Sequence, residues 1–339
     1  MNKNTYILGI ESSCDDTAAA VIHNGVVLSN VVAGQKIHEE YGGVVPELAS
    51  RAHQQNIVPV VHQALRKANI DKKQLSAIAF TQGPGLMGSL LVGTSFSKSL
   101  AMGLGIPLIA VNHMQAHILA HFIKAEGQTA PTFPFIALTI SGGHTQIVKV
   151  TDYFEMEILG ETIDDAVGEA FDKSAKILGL PYPGGPLIDK YAQSGNPLAY
   201  PFTKPKVGDL EFSFSGLKTA VLYFEERETN KNPNFVSENL EDICASIQFT
   251  IVDYLMDKIK NAVAITSINQ VAIGGGVSAN SGIRNALKAT EKELGWKTYI
   301  PRFEYCTDNA AMISMVGELK YKTQQFSSNN LVAKARMKL

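Results

Sequence analysis

The sequence predicts an α/β protein built from two duplicated lobes with a cleft between them. Three observations carry this. Short apolar runs of strand length alternate with longer helical patterns. The order strand, polar turn, strand, turn, strand, then helix, strand, glycine loop, helix, strand, helix occurs twice, starting near Tyr6 and again near Phe135. Polar or glycine-rich segments fall at the ends of the strands, where α/β folds place their ligands.

In the first half, Tyr6–Ile10 is a strand and ESSCDDT (Glu11–Thr17) a polar turn. AAAVIH and VVLSNVVA are then joined by Asn24-Gly25, a strong hairpin signal. A helix is expected from about Pro46 to Ala68, a strand at Ser76–Thr81, a glycine loop GPGLMG (Gly83–Gly88), a helix at Ser89–Gly103 and a buried strand at Pro107–Val111. In the second half the strands are Phe135–Ile140, QIVKV and Phe154–Leu159, with SGGHT (Ser141–Thr145) as the first turn. A helix follows from about Asp164 to Leu178. Residues 181–214, rich in Pro, Gly and aromatics, read as an insertion. The remaining elements are a helix over Ser237–Ala264, a strand at Gln270–Ile273, the loop GGGVSAN (Gly274–Asn280), a helix at Ser281–Gly295, a strand at Lys297–Pro301 and a helix at Asp308–Lys322. The halves share pattern rather than residues. The lobes are drawn as 1–112 and 113–324, with the helix 308–322 able to pack back on the first lobe and 325–339 as a tail.

Composition bounds the function. The chain has 339 residues, 45% hydrophobic and only 18% charged, with a net charge of −2. That excludes a global basic field for nucleic acid, so an RNA partner needs a local patch or a helper protein. Lys204 with Lys206, and the tail residues Lys334, Arg336 and Lys338, are the modest candidates; the ordinary alternative is solubility. Three cysteines without C-x-x-C spacing argue against a disulfide framework and for a reducing compartment. MNKNTYILGI leads directly into a strand with no signal-peptide core, and no apolar run approaches a membrane span, so a cytoplasmic protein without membrane contact is expected.

Chemistry concentrates at His113–His117, read HMQAH. Histidines four apart on a helix lie on one face and can share a metal ion. The protease form H-E-x-x-H carries a Glu as general base; here Met114 stands in its place. The alternative is two ordinary helix residues. His121, one turn on, is read as packing or meeting solvent, so a third ligand must come from elsewhere. Asp308 in YCTDNAAM is the candidate, against the plain reading of a helix N-cap. GPGLMG matches G-x-G-x-x-G formally, but no Asp or Glu occurs between Asp71 and Glu126. A backbone-approach loop is therefore favoured over a dinucleotide site. ISGGHTQIV exposes backbone N–H groups that could cradle an anion, or is simply a hairpin. GGGVSAN offers a side-chain-free surface for a purine or ribose, with Asn280 at its edge. Asp172, on the helix of GEAFDKSAKILGLPYPGGP, and Asp189 beyond it could accept from ribose hydroxyls or be plain solvated acids.

Taken together, GIESSCDDTA, NHMQAH, SGGHTQ, GEAFDKSAKILGLPYPGGP, FSFSGLKTA, GGGVSAN and CTDNAAM resemble the bacterial tRNA adenosine threonylcarbamoyltransferase family, from about Tyr6 to Gly317. The resemblance implies the two-lobed, RNase H-like fold of the sugar kinase, actin and chaperone ATPase superfamily. It implies that His113, His117 and Asp308 bind one divalent ion per subunit, Fe2+ by family precedent, with Zn2+ or Mg2+ as alternatives. It implies that Thr139, Ile140, Ser141, Gly142, Gly143, Asp172, Gly185, Asp189 and Asn280 bind the nucleotide-linked substrate, threonylcarbamoyl-AMP, or ATP or AMP in its place. The acceptor is the exocyclic amine of the adenosine 3′ to the anticodon in tRNAs reading codons that start with A. The implied partners are tRNA, a related inactive-like subunit and a small ATPase. Glu11 and Asp15 are the candidates for a general base. The residues from about Ser328 lie outside the family pattern and are assigned nothing. The rival readings are a metalloprotease acting on glycoproteins, disfavoured by the missing Glu, and a nucleotide-binding interaction module, disfavoured by the His-His-Asp set.

Overall fold

A computed structural model describes residues 5–35 and 37–339. The chain divides into two compact units, 1–131 with 301–339, and 132–300.

The first unit holds β1 (Tyr6–Glu11), β2 (Thr17–His23), β3 (Val26–Ala33), α1 (Ile37–Tyr41), α2 (Pro46–Lys67), β4 (Ala77–Gly83), α3 (Met87–Leu104), β5 (Leu108–Asn112) and α4 (His113–Leu119). The second holds β6 (Phe135–Ile140), β7 (Thr145–Asp152), β8 (Glu155–Glu161), α5 (Val167–Ile177), α6 (Gly184–Ala192), α7 (Ser215–Thr229), α8 (Phe235–Glu238), α9 (Leu240–Thr266), β9 (Gln270–Gly274), α10 (Ser281–Glu293) and β10 (Lys297–Tyr299). The chain then returns to the first unit with α11 (Ala310–Lys322).

The two sheets have one topology. The first runs β3-β2-β1-β4-β5 and the second β8-β7-β6-β9-β10, so each has an antiparallel meander followed by two parallel crossover strands. The duplicated order expected from the sequence is therefore a duplicated sheet.

In the first unit, strand parity decides which side chains reach which face. Leu8, Ile10, Ile78 and Phe80 enter the core shared with Ile57, Val60, Val61 and Ala64 of α2 and Ala101 of α3. The residues of opposite parity face α11. Gly9 and Gly317 are the close-approach points: a Cβ at Gly9 would lie 2.5 Å from the Ala310 carbonyl oxygen, and one at Gly317 2.4 Å from the Ala79 Cβ. Glu11 and Thr81 share this parity, which puts two polar side chains on the α11 side at the strand ends. Helix termini follow their sequence signals. Pro46 begins α2, and Gly105, at φ 65°, ends α3 in the left-handed region. The second core gathers Ile136, Leu138 and Ile140 of β6 with Val167 and Phe171 of α5, Ile243 and Ile247 of α9, and Ile283 and Leu287 of α10.

Three expectations change. The boundary drawn at 112/113 falls inside one unit, because α4 continues directly from β5 and packs against α11 of the same unit; the division comes at 131/132. The insertion 181–214 contains α6, whose glycines are loop formers by composition but helical in fact. The long helix begins at Leu240, Asn239 separating it from α8, and α7 is an added helix that the aromatic and glycine content of FSFSGLKTA conceals. Among the described residues no helix is long and apolar enough to cross a membrane.

Candidate metal centre and substrate segment

The metal candidates assemble in the first unit. Asn112 ends β5, and its Oδ1 accepts from the backbone N–H groups of Met114 (2.9 Å) and Gln115 (3.2 Å), starting α4 at His113. The helical spacing then stacks His117 one turn on, with the two rings edge to face at 4.7 Å. Asn309 is the residue that caps α11, its Oδ1 accepting from Met312 N at 3.0 Å. The plain capping role that the sequence allows Asp308 is thus taken by its neighbour. Standing one residue earlier, Asp308 turns its carboxylate to the histidines. Asp308 Oδ1 lies 3.3 Å from Nε2 of both His113 and His117, and the two Nε2 atoms are 3.2 Å apart.

Three donor atoms mutually 3.2–3.3 Å apart match a shared cation. Ligand distances near ~2.1 Å give neighbouring ligand atoms separations of roughly 3.0–3.4 Å at octahedral to tetrahedral angles. Two imidazole nitrogens this close repel when both present lone pairs, and a cation between them removes the conflict. These three are a group of His, Cys, Asp or Glu side chains among the described residues whose donor atoms all lie within 4.8 Å of one another. His121 is buried in a short turn after α4 and stands outside this group.

Glu11 orients the centre. It is fully buried, and its Oε2 accepts from His113 Nδ1 at 3.0 Å and from Thr81 Oγ1 at 2.6 Å, while its Oε1 accepts from Ser13 N. Ser13 Oγ lies 3.3 Å from the same His113 Nδ1. A carboxylate on Nδ1 fixes the tautomer that turns the Nε2 lone pair inward. A sealed, triply engaged carboxylate is thus a holder of His113, which leaves Asp15 as the half-buried candidate base in this loop. Burial alone would lower His113, but Asp308 and Glu11 beside it hold its pKa well above the ordinary histidine value. Burial pulls His117 down, and His113 holds Asp308 far below and Glu11 below the usual carboxylate range in spite of burial. Asp16, half-buried, is pushed up to about 7 by loss of water and by Asp15, Asp308 and Glu11 near it. Cys14 is driven upward by burial and by Asp15, which makes it a poor nucleophile. Sequence reasoning missed Ser13, Thr81 and Asn112; the available signal was a polar residue closing an otherwise apolar strand in AIAFTQG and LIAVN.

The second unit carries the other candidates. Thr139 and Ile140 end β6 fully buried. The turn Ser141–His144 is closed by Ser141 N donating to His144 O at 2.9 Å, and a Cβ on Gly142 or Gly143 would meet nothing within 4 Å, so this turn is open. Asp172 Oδ1 accepts from the N–H groups of Gly184 and Gly185, both at 2.9 Å, and so caps α6; burial outweighs these bonds and raises its pKa. Asp189 holds the start of α10, accepting from Ser281 N at 3.0 Å and Ser281 Oγ at 2.6 Å. Asn280 caps α10 through Ile283 N and donates to Gln248 Oε1 at 2.7 Å. Asp172, Asp189 and Asn280 are thus linked through the N-termini of α6 and α10, each engaged in holding the backbone there, while the Ser141–Gly143 turn is not part of that set of bonds. The triple glycine is explained in part by geometry: Gly275 sits at φ 89° with a would-be Cβ 2.4 Å from Ile140 O.

Comparison with known proteins shows the family. Residues 26–315 match the family described as tRNA N6-adenosine threonylcarbamoyltransferase. Proteins of that name from Christiangramia forsetii and Riemerella anatipestifer are 73% identical over 332 residues and 60% identical over 337; the first alignment covers 98% of each chain and the second 99%. Among solved structures, full-length HypF in its phosphate- and nucleotide-bound form aligns with a TM-score of 0.62 at 13% identity, covering 96% of this chain and 48% of that one. The activator of 2-hydroxyisocaproyl-CoA dehydratase from Clostridium difficile aligns at 0.53 and 14% identity, covering 96% and 99%. These structural likenesses bear on fold alone. On the match across 26–315 and on relatives that run the length of the molecule, the chain belongs to the tRNA N6-adenosine threonylcarbamoyltransferase family.

Proposed function

We propose that this chain performs its family's transfer, moving threonylcarbamoyl from threonylcarbamoyl-AMP to the exocyclic amine of a tRNA adenosine, with a divalent ion held by His113, His117 and Asp308. The observation that carries the metal assignment is the convergence of two Nε2 atoms and one carboxylate oxygen within hydrogen-bond range of one another. Two imidazoles and one carboxylate are the donor set of non-haem Fe(II) sites with open positions, which favours iron; Zn2+ and Mg2+ are the alternatives. When bound, the ion would supply Lewis-acid stabilisation of charge on the carbamoyl or phosphate oxygens.

The chain's own residues do the rest. Glu11, with Ser13 and Thr81, keeps His113 in the tautomer that points Nε2 inward. Asn112 and Asn309 fix the two helix starts that carry the ligands. In the second unit, the open Ser141–Gly143 turn presents backbone N–H groups suited to a phosphate or carboxylate. Thr139, Ile140, Asp172, Gly185, Asp189 and Asn280 frame the segment assigned to the nucleotide, and Asp172 and Asp189 act there by holding helix starts in place. Asp15 is the candidate to take the amine proton. A cytoplasmic location, and cooperation with a related subunit and a small ATPase, belong to the same reading. The metalloprotease and interaction-module alternatives find no support among the relatives.

The test is nucleoside mass spectrometry of tRNA from cells depleted of this protein. Threonylcarbamoyl-adenosine should disappear, return with the wild-type chain, and fail to return with Asp308→Ala or His117→Ala, both purified without bound metal. Undiminished modified nucleoside on depletion would remove the activity; full rescue by both variants would remove the metal assignment.

A further inference from the structure

The C-terminal segment is bound into the first unit beside the metal centre. Ser327 N donates to Leu108 O at 2.8 Å, and Ala110 N donates to Ser327 Oγ at 2.9 Å. Lys98 Nζ reaches Leu331 O, Gln82 Nε2 donates to Val332 O at 2.9 Å, and Lys334 N donates to Gln82 O at 2.8 Å. Gly85 N then donates to Ala335 O at 3.1 Å, and Asn112 Nδ2 to Lys338 O at 2.8 Å. The chain passes so close over Gly83 that a Cβ there would lie 1.9 Å from Lys334 O. The glycine loop GPGLMG is thus a seat for the protein's own C-terminus. The same loop touches the centre from the other side, since Leu86 N donates to Ser13 O at 2.7 Å and Ser13 contacts His113.

The segment presents its charges in one direction. Exposure alternates residue by residue: Ala333, Ala335 and Met337 turn inward, while Lys334, Arg336 and Lys338 are exposed. Successive cations are at most roughly 7 Å apart along the chain. None of the three makes an ion pair among the described residues. The other basic patch is different, because Lys204 is neutralised by Asp253 and Asp257. In a chain of net charge −2, three cations without an ion pair, on a segment whose Lys334 N–H is held by Gln82 and whose Lys338 carbonyl is held by Asn112, the residue before His113, form a local positive track.

We propose that Lys334, Arg336 and Lys338 form a fixed basic rail that takes the phosphate backbone of the tRNA beside the metal centre. Cations held in place by their own backbone lose less entropy on meeting phosphates than free side chains on a mobile tail. The rail reads charge and carries no base specificity.

The test uses extract from cells depleted of the protein, supplemented with pure chain, measuring transfer against tRNA concentration at several salt levels. Lys334→Gln, Arg336→Gln and Lys338→Gln combined should raise the KM for tRNA about tenfold or more with kcat and metal content unchanged. The slope of log kcat/KM against log salt should flatten by about 2, three contacts at ~0.7 each. Lys204→Gln with Lys206→Gln should change neither. An unchanged KM and slope in the triple variant overturns the proposal. So does a fall in kcat at constant KM, which would make the segment only a brace for Asn112.

Discussion

Replacing Glu11 with Gln tests how the metal centre is held. The carboxylate is fully buried and accepts three hydrogen bonds, from His113 Nδ1, Thr81 Oγ1 and Ser13 N. With the amide oxygen facing His113 and Thr81, the new NH2 group meets the Ser13 N–H and a buried donor loses its acceptor, at a cost of about 1–3 kcal/mol. The bond to His113 survives without its charge. Loss of an outer partner of a ligating histidine weakens metal binding by roughly 10–100-fold. That is about 1.4–2.7 kcal/mol at 1.36 kcal/mol per decade. A hydrogen bond to a charged group is independently worth about 1.5–3 kcal/mol. Glu11→Gln should therefore still bind one ion per chain, roughly 10–100-fold more weakly, and melt at a lower temperature. Anaerobic Fe(II) titration against a chromophoric chelator, beside Asp308→Ala, reads the affinity, and a thermal melt of the same samples reads the stability. Wild-type affinity in Glu11→Gln would make Glu11 a purely structural acid. Complete loss of binding, as in Asp308→Ala, would make it a ligand. Either result refutes the reasoning.

Other outcomes follow from the packing and the second unit. Gly317→Ala places a Cβ 2.4 Å from that of Ala79 and should cost about 1–3 kcal/mol of unfolding free energy in denaturant titration; an unchanged midpoint would contradict the close fit of α11 on the sheet. Gly142→Val adds bulk in open space, so stability should stay within about 0.5 kcal/mol while calorimetric affinity for AMP falls; unchanged affinity would take the nucleotide away from this turn. Burial raises the Asp172 pKa above its unfolded value in spite of the bonds from Gly184 and Gly185. The folded state therefore binds the proton more readily than the unfolded one, and the ionised carboxylate destabilises the fold above its folded pKa. Asp172→Asn keeps an acceptor for both N–H groups without the charge. It should melt higher than wild type at neutral pH, with the gap closing as pH falls through the folded pKa; a gap that widens on acidification would reverse the sign.

The duplicated order of elements was legible because each half alternates apolar runs of strand length with helical patterns, and the two sheets repeat one topology. The stacking of His113 and His117 on one helix face was legible because four-residue spacing is a geometric statement in itself. Asp308 stands out less clearly. An Asp before an apolar run has the look of a cap, and only the structure shows Asn309 in that position and Asp308 free to face the histidines. Glu11 is visible as an acid in a polar loop. Its role depends on strand parity combined with the arrival of α11, about 300 residues further along the chain, which no local pattern reports. The helix α6 was hidden because Pro and Gly, which mark loops, here occupy the first turn of a helix, where a missing N–H does no harm. The C-terminal segment alternates small or apolar and basic residues from Ala333 to Lys338 but belongs to no sheet, and its place is set by bonds to β4, α3 and β5, far back in the chain.

The first unit is interrupted by the second, and that has a consequence for how the protein is made. His113 and His117 leave the ribosome with the N-terminal part of the chain, but Asp308 comes only after residues 132–300 have been synthesised. At ~5–20 residues per second this interval lasts roughly 10–30 s. Throughout it the face of β1 that α11 will cover, and the Glu11 carboxylate, remain without their cover. A metal ion arriving then meets two histidines and no aspartate. Completion of the proposed centre and closure of the first unit are thereby coupled to the final stage of translation, and a chain truncated between residues 300 and 308 keeps a complete second unit but lacks the aspartate of the triad.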